Sequence, residues 1–310
     1  MERITLNILV LLFYWISVIG HETGHILAGR LVGVDFGTVY MGPAIINMET
    51  RKVTLNKPFS LNWFFGMCSR PYFKGNLNNL VQRFAFVAFG GPATSIFFGV
   101  VILIENRYSH LGLISLAIGI ATLFSDGYMA VLFLKNVKYG EVILLDTIFN
   151  SWESTESLRN TINHSVRKID HKNSNNKLEA QIKAIYMKHI VSGIISPSII
   201  DSSEILENLE KMMSSGNKVN HSYVEIINYY IIHKLQSKDE LDTTFKEKYL
   251  KFLEENTFKD KDLNLECSIV SSLIQKKDIQ KYVEEIKKLN EKDRFIGYEL
   301  FWLKIINSFQ

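Results

Sequence analysis

The chain has 310 residues, 47% hydrophobic and 22% charged, with a net charge of +3. Averaged over its length it looks like an ordinary soluble protein, but residues 1–150 hold 11 Lys/Arg and 8 Asp/Glu whereas residues 151–310 hold 24 and 24. The net positive charge lies in the first half and is too small for a nucleic-acid footprint, so a nucleic-acid partner is disfavoured. Cys68 and Cys267 fall one in each half with no paired spacing, which argues against a disulfide framework or a thiolate zinc site.

Taken in chain order, the first element is an apolar run whose only charge between Arg3 and Arg30 is Glu22. A second run, between Arg83 and Glu105, has no charge, and a third, between His110 and Lys135, has only Asp126. Each is long enough to cross a bilayer core of about 30 Å as a helix. Three transmembrane helices are therefore predicted. The first continues past His25 to Val34 without a small-residue cleavage pattern, so it is expected to stay in the mature protein rather than act as a signal peptide.

The loop between the first two spans carries Arg30, Arg51, Lys52, Lys57, Arg70, Lys74 and Arg83, and Lys135 and Lys138 follow the third span. Basic loops favour the cytoplasm, which places residues 135–310 there and makes spans one and three parallel. Within the basic loop, short strands are expected around Val34–Tyr40, Ala44–Met48 and Val53–Asn56, broken at Gly42-Pro43 and Glu49-Thr50-Arg51. An aromatic stretch, Trp63-Phe64-Phe65 and Tyr72-Phe73, suggests that this β-element lies on or dips into the membrane face.

From Glu153 onward, apolar residues recur at helical spacing, as in Ile182, Ile185, Tyr186, Ile190 and in Val224, Ile227, Tyr230, Ile231. Breaks at Ser196-Pro197, Ser214-Ser215-Gly216-Asn217, Ser237-Lys238-Asp239 and Lys276-Lys277-Asp278 divide the half into about seven helices, and Ile169–Lys177 reads as a linker. Antiparallel helix pairs stacked as in a tetratricopeptide array fit this pattern, although no residue signature repeats at a fixed period. The expected fold class is thus a membrane α-helical core of three spans with a small membrane-associated β-element (residues 1–150), followed by an all-α cytoplasmic domain of helical hairpins (151–310).

His21-Glu22-Thr23-Gly24-His25 stands near the end of the first span. On a helix, residues i and i+4 share a face, so both imidazoles can reach one Zn²⁺ while Glu22 lies beside it as a proton acceptor for water. A catalytic zinc needs a third protein ligand. The three spans contain only two carboxylates, and with Glu22 in the role of base Asp126 is left to ligate. His21 and His25 lie nine and five residues before Arg30, and Asp126 lies nine before Lys135. On parallel helices all three sit about 8–14 Å inside the same boundary, at about 1.5 Å per residue. A membrane-edge histidine pair and a helix-capping Asp126 are the plainer alternatives.

These residues resemble the site-two protease family of intramembrane zinc metalloproteases, through His21-Glu22-Thr23-Gly24-His25, Asp126-Gly127 and Gly90-Gly91-Pro92-Ala93-Thr94-Ser95. The resemblance covers roughly residues 1–145. It implies His21, His25 and Asp126 as ligands of one zinc per chain, Glu22 as the base, and a membrane-associated sheet after the first motif. The sequence departs from the family pattern in having Ser95 where Asn is common, and Ser125-Asp126-Gly127 in place of Leu-Asp-Gly with a preceding Asn-Pro. Gly90, Gly91 and Pro92 are expected to break span two and, with Ser95, to position an unwound substrate; close helix packing through small residues is the competing reading. An edge of the strands at Val34–Tyr40 or Ala44–Met48 is expected to pair with that substrate.

The expected function is intramembrane zinc endopeptidase, acting on a membrane-inserted peptide or small membrane protein near the cytoplasmic leaflet, with the lipid bilayer as its environment. The alternative is a non-catalytic scaffold or immunity-type protein of the same fold that binds a protein partner through its helical domain. The Asn-, Lys- and Ile-rich composition fits a bacterium of low GC content, which would place the chain in the cell membrane.

Overall fold

The structure is a computed structural model, and it describes residues 2–48, 50–56, 66–73, 77–105, 109–151, 155–167, 177–195, 221–256, 258, 260–293 and 296–309. The chain divides into two compact units, Met1–Ile148 and Phe149–Gln310.

In the first unit, α1 (Glu2–Leu31) is followed by four strands, β1 (Val34–Met41), β2 (Ala44–Asn47), β3 (Lys52–Leu55) and β4 (Met67–Phe73). Then come α2 (Leu80–Glu105), α3 (Ser109–Thr122), a π-helical turn (Leu123–Gly127), α4 (Tyr128–Lys135) and α5 (Val137–Ser151). Three stretches are long and apolar enough to cross a membrane: Asn7–Leu31, Leu80–Glu105 and Ser109–Lys135. They form because uninterrupted apolar sequence in lipid must satisfy its backbone internally, and a helix does so.

The spans pack through small residues rather than through bulky apolar ones, as expected where lipid competes for apolar contact. A Cβ on Gly24 of α1 would lie 2.5 Å from Gly90 O of α2, and one on Gly112 of α3 would lie 3.0 Å from Gly99 O of α2. The packing reading of Gly90-Gly91 therefore describes the helix contact. The expected break does not occur, since α2 runs through Pro92 as one 26-residue helix. Pro92 removes one helical donor, yet the helix geometry continues on either side of it. At its first turn Arg83 donates from Nε to Val32 O and from Nη2 to Gly33 O, both at 2.7 Å, satisfying carbonyls just beyond the end of α1.

The sheet has the order β3-β2-β1-β4, all antiparallel. β1 pairs with β2 across Met41↔Ala44 and with β4 across Val34↔Phe73, so β1 and β2 are both inner strands. The expectation that substrate adds to one of those two is thereby corrected: among the described residues the edge strands are β3 and β4. β4 itself was not foreseen as a strand. Met48 N donates to Gly37 O, so Gly37 turns to β2 and Phe36 and Thr38 turn to β4. Pro71, opposite Phe36, therefore costs the β1–β4 ladder one donor, a loss that an edge strand tolerates more readily than an inner one. β3 is exposed throughout, with Val53 and Leu55 open.

The second unit is α-helical. Among the described residues it holds seven helices after the end of α5: α6 (Glu156–Arg167), α7 (Lys177–Val191), α8 (His221–Gln236), α9 (Thr243–Glu255), α10 (Lys261–Ile274), α11 (Lys281–Asp293) and α12 (Ile296–Asn307). The apolar repeats that predicted helices are buried, including Ile182, Tyr186, Ile190, Val224, Ile227 and Ile231. Asp242 caps α9 by accepting from Phe245 N at 2.9 Å, and Asp260 caps α10 by accepting from Asp262 N at 2.9 Å. The breaks at 237–239 and 276–278 are real turns, each holding a lysine with positive φ, Lys238 at 57° and Lys276 at 53°. The linker at 169–176, the breaks at Ser196-Pro197 and 214–217, and Trp63-Phe64-Phe65 lie outside the described residues.

Candidate metal centre

The HExxH turn lies on a buried stretch of α1, where His21, Glu22 and His25 are each less than a tenth exposed. His21 and His25 face α2 and the π-helical turn. His21 Nε2 is 3.1 Å from His25 Nε2, and Asp126 Oδ2 lies 3.4 Å and 3.5 Å from the same two atoms. A tetrahedral zinc with bonds of about 2.0–2.1 Å holds its ligand atoms about 3.3 Å apart, so this triangle has the size the ion requires.

The hydrogen bonds on the far side of the rings decide which lone pairs point inward. His25 Nδ1 is 2.8 Å from Val87 O, which only accepts, so Nδ1 donates and the neutral ring keeps its lone pair on Nε2. Ser95 Oγ lies 3.1 Å from His21 Nδ1 and can accept from it in the same way. Two imidazole lone pairs and a carboxylate oxygen then converge on one point, an arrangement that repels itself without a cation and suits one with a cation. No other group of three or more His, Cys, Asp or Glu among the described residues is arranged to hold a metal.

Asp126 reaches this position from within a π-helical turn, Leu123–Gly127, inserted between α3 and α4. The extra residue in a π turn rotates the following side chains relative to an α-helix, a device that often marks functional positions. The expected capping role for Asp126 is absent in its simple form, since helical backbone runs on through Gly127 into α4.

The residues assigned to substrate positioning sit at the metal cluster. A Cβ on Gly91 would lie 2.7 Å from His21 Nε2 and would also strike His25 Nε2, so only glycine lets α2 approach both ligands. Gly90 lies against Gly24 and Ala28 of α1, and Ser95 is fully buried against His21. Ser115 of α3 donates to Ser95 O at 3.0 Å, which links the third span to the same turn of α2.

The Glu22 carboxyl lies against the start of β4. Its Oε2 is buried without a hydrogen-bond partner. Gly66, just before β4, and Cys68 within it border this carboxyl group. Sequence reasoning missed these two and Gly24. Gly24 carried a visible signal, because glycine inside a helix costs about 1 kcal/mol and needs a packing reason; Gly66 and Cys68 carried none.

A His-His-Asp cluster with both imidazoles buried and an unpartnered carboxylate oxygen of Glu22 beside it, set in helices apolar enough to span a membrane, defines a membrane metalloprotease. The chain belongs to peptidase family M50, the site-two protease family, whose model it matches over residues 8–279. The match extends well past residue 145, where the recognisable motifs end, and so takes in most of the helical second unit. No curated protein and no solved structure matches the chain. M50 proteins are zinc metalloproteases of the membrane, and His21, His25 and Asp126 form a cluster that fits such an ion.

Proposed function

We propose that this chain is an intramembrane zinc endopeptidase that hydrolyses a peptide bond of a membrane-inserted peptide or small membrane protein near the cytoplasmic leaflet. One observation carries the reading: three inward-facing electron-pair donors spaced 3.1–3.5 Å apart, with an unpartnered buried carboxylate oxygen on the next residue of the same helix. Residues 1–150 form the protease domain in this reading, and residues 151–310 form a cytoplasmic helical domain that can engage a protein partner.

His21 Nε2, His25 Nε2 and Asp126 would hold the zinc. When bound there, zinc acts as a Lewis acid that lowers the pKa of water towards about 7 and polarises a carbonyl. Glu22 Oε2 accepts a proton from the attacking water and passes it to the leaving amine nitrogen, so one water is consumed and a carboxylate and an amine are released. Ser95 and Val87 O hold the two imidazoles in the tautomer that ligates. Burial of His21, Glu22 and His25 keeps bulk water out.

The substrate must be extended before attack, because a helical peptide bond is shielded by its own hydrogen bonds. The position of β4 supports this step: among the described residues it is an edge strand, it begins beside Glu22, and its outer side would offer backbone donors and acceptors to an added strand.

Two measurements test the proposal. Purified protein should hold one zinc per chain, lost in His21→Ala and Asp126→Ala and kept in Glu22→Gln. Membrane peptides that accumulate in cells carrying Glu22→Gln, and not in cells carrying the wild type, would be the substrates. Zinc bound with no such difference would favour the non-catalytic scaffold.

A further inference from the structure

A general base needs one oxygen free for the proton and the rest of its carboxyl group held still. At Glu22 the free oxygen is Oε2, which is buried without a partner. What borders the carboxyl group on the side of the sheet is the start of β4. Gly66 has φ +68°, and a Cβ there would lie 2.6 Å from Glu22 Oε1 and 3.0 Å from its Cγ, so the left-handed glycine lets backbone close over the side chain. Two residues on, Cys68 Sγ lies 3.8 Å from the Glu22 backbone carbonyl oxygen, to which its thiol donates, and the same sulfur stands beside the Glu22 carboxyl group. Cys68 is held in place by the β1–β4 ladder, in register with Val39, which is fully buried.

We propose that Cys68 is a positioning residue for Glu22: its S–H donates to the carboxyl group as well as to the backbone carbonyl and holds the carboxyl against Gly66, leaving Oε2 free toward the metal cluster. The inference rests on the reading of Glu22 as the base. Cysteine suits the position because it is a small apolar side chain with a single weak donor, so it can be buried at a membrane face without demanding further partners. The geometry also makes the base dependent on β4. Whatever displaces this strand moves the thiol and the glycine wall together, so a substrate strand added to the edge of β4 would act on the segment that holds Glu22.

Infrared spectra of the purified, zinc-loaded full chain test this directly. The wild-type spectrum minus that of Cys68→Ala isolates the Cys68 S–H stretch from that of Cys267. In a Glu22→Gln background the same band should move to higher wavenumber, because an amide oxygen accepts less strongly than a carboxylate. An unmoved band means that the thiol bonds only to the Glu22 backbone carbonyl, and the proposal fails. Zinc content should be unchanged in Cys68→Ala and Cys68→Ser. Against a Leu/Ala transmembrane peptide with a central Gly-Gly pair, in liposomes, Cys68→Ala should lower kcat about tenfold at constant KM, and Cys68→Ser should restore most of it. Wild-type kcat in Cys68→Ala also overturns the proposal. If the zinc-loaded wild type leaves this peptide intact, that result counts against the protease reading, and the infrared shift alone decides the role of Cys68.

Discussion

At His21 and His25 the nitrogen that faces away from Asp126 decides which nitrogen is left for metal. Val87 O serves His25 as part of a helix backbone and cannot be removed by substitution, whereas Ser95 serves His21 through a side chain and can. Ser95→Ala should therefore lower zinc affinity by roughly 10–100-fold while leaving the fold intact. Gly91→Ala, which puts a methyl group against both Nε2 atoms, should abolish zinc binding. Metal titration of the two variants checks both. A Ser95→Ala variant with wild-type affinity would return Ser95 to substrate positioning, the role expected of it from the sequence. The motif residues were legible because the i, i+4 period places two imidazoles on one face whatever surrounds them. Ser95 was legible as a polar residue in an apolar span, but its bond to His21 joins residues 74 positions apart and no local rule predicts it.

Among the elements, β4 changes the reading most. Pro71 and Ser69 lie opposite Phe36 and Thr38, the β1 residues that turn to β4, so both face the β1–β4 ladder. Alternate residues of an antiparallel strand share a direction, so Cys68 and Arg70 turn their backbone groups to the outer edge. Arg70→Pro should thus spare the β1–β4 ladder and remove one donor from the outer edge. Substrate cleavage should fall with zinc content unchanged, and cleavage at the wild-type rate would rule out strand addition on β4. The helices of the second unit present a different case. There α10 buries Glu266, whose Oε1 accepts from Tyr298 OH at 3.1 Å and from Tyr229 OH at 3.3 Å. Burial first, and then the Glu225 carboxylate, push the Glu266 carboxyl up to about 8. A folded-state value raised above the unfolded one gives stability that is present in full below the unfolded pKa and is lost as pH rises to the folded pKa. The second unit should lose stability from about pH 4.5 to about pH 8, with a limiting slope of about 1.4 kcal/mol per pH unit. Glu266→Gln, which cannot ionise, should flatten this dependence, as read from the melting temperature at pH 5 and pH 8. An equal slope in both proteins would assign the effect to another group.

For the whole molecule, the three spans and the M50 match make this a membrane protein, and its direction of insertion is a prediction from charge. Basic residues between spans one and two and after span three predict that the sheet and the second unit face the cytoplasm. A cysteine introduced at Leu55, which is 88% exposed, or at the exposed Lys261 should resist an impermeant thiol reagent in intact cells and react once the cells are opened. Labelling of either from outside would invert the topology and move the site toward the outer leaflet.

Hydropathy runs, the four-residue spacing of His21 and His25, and the scarcity of carboxylates in the spans are local properties of the chain. They determine three apolar spans, a helix face carrying two imidazoles, and Asp126 as the carboxylate available to meet them, because lipid penalises an ionisable group that lacks a partner. The depth of Asp126 followed from counting residues on parallel helices, but the π-helical turn that carries it is a matter of backbone packing. That Pro92 stays within a helix, that β2 lies inside the sheet and β4 at its edge, and that Gly66 and Cys68 close over Glu22 were decided only by tertiary structure. Each depends on segments tens of residues apart competing for the same small volume around α1, where a glycine or a thiol in one element fits only because another element has left room for it.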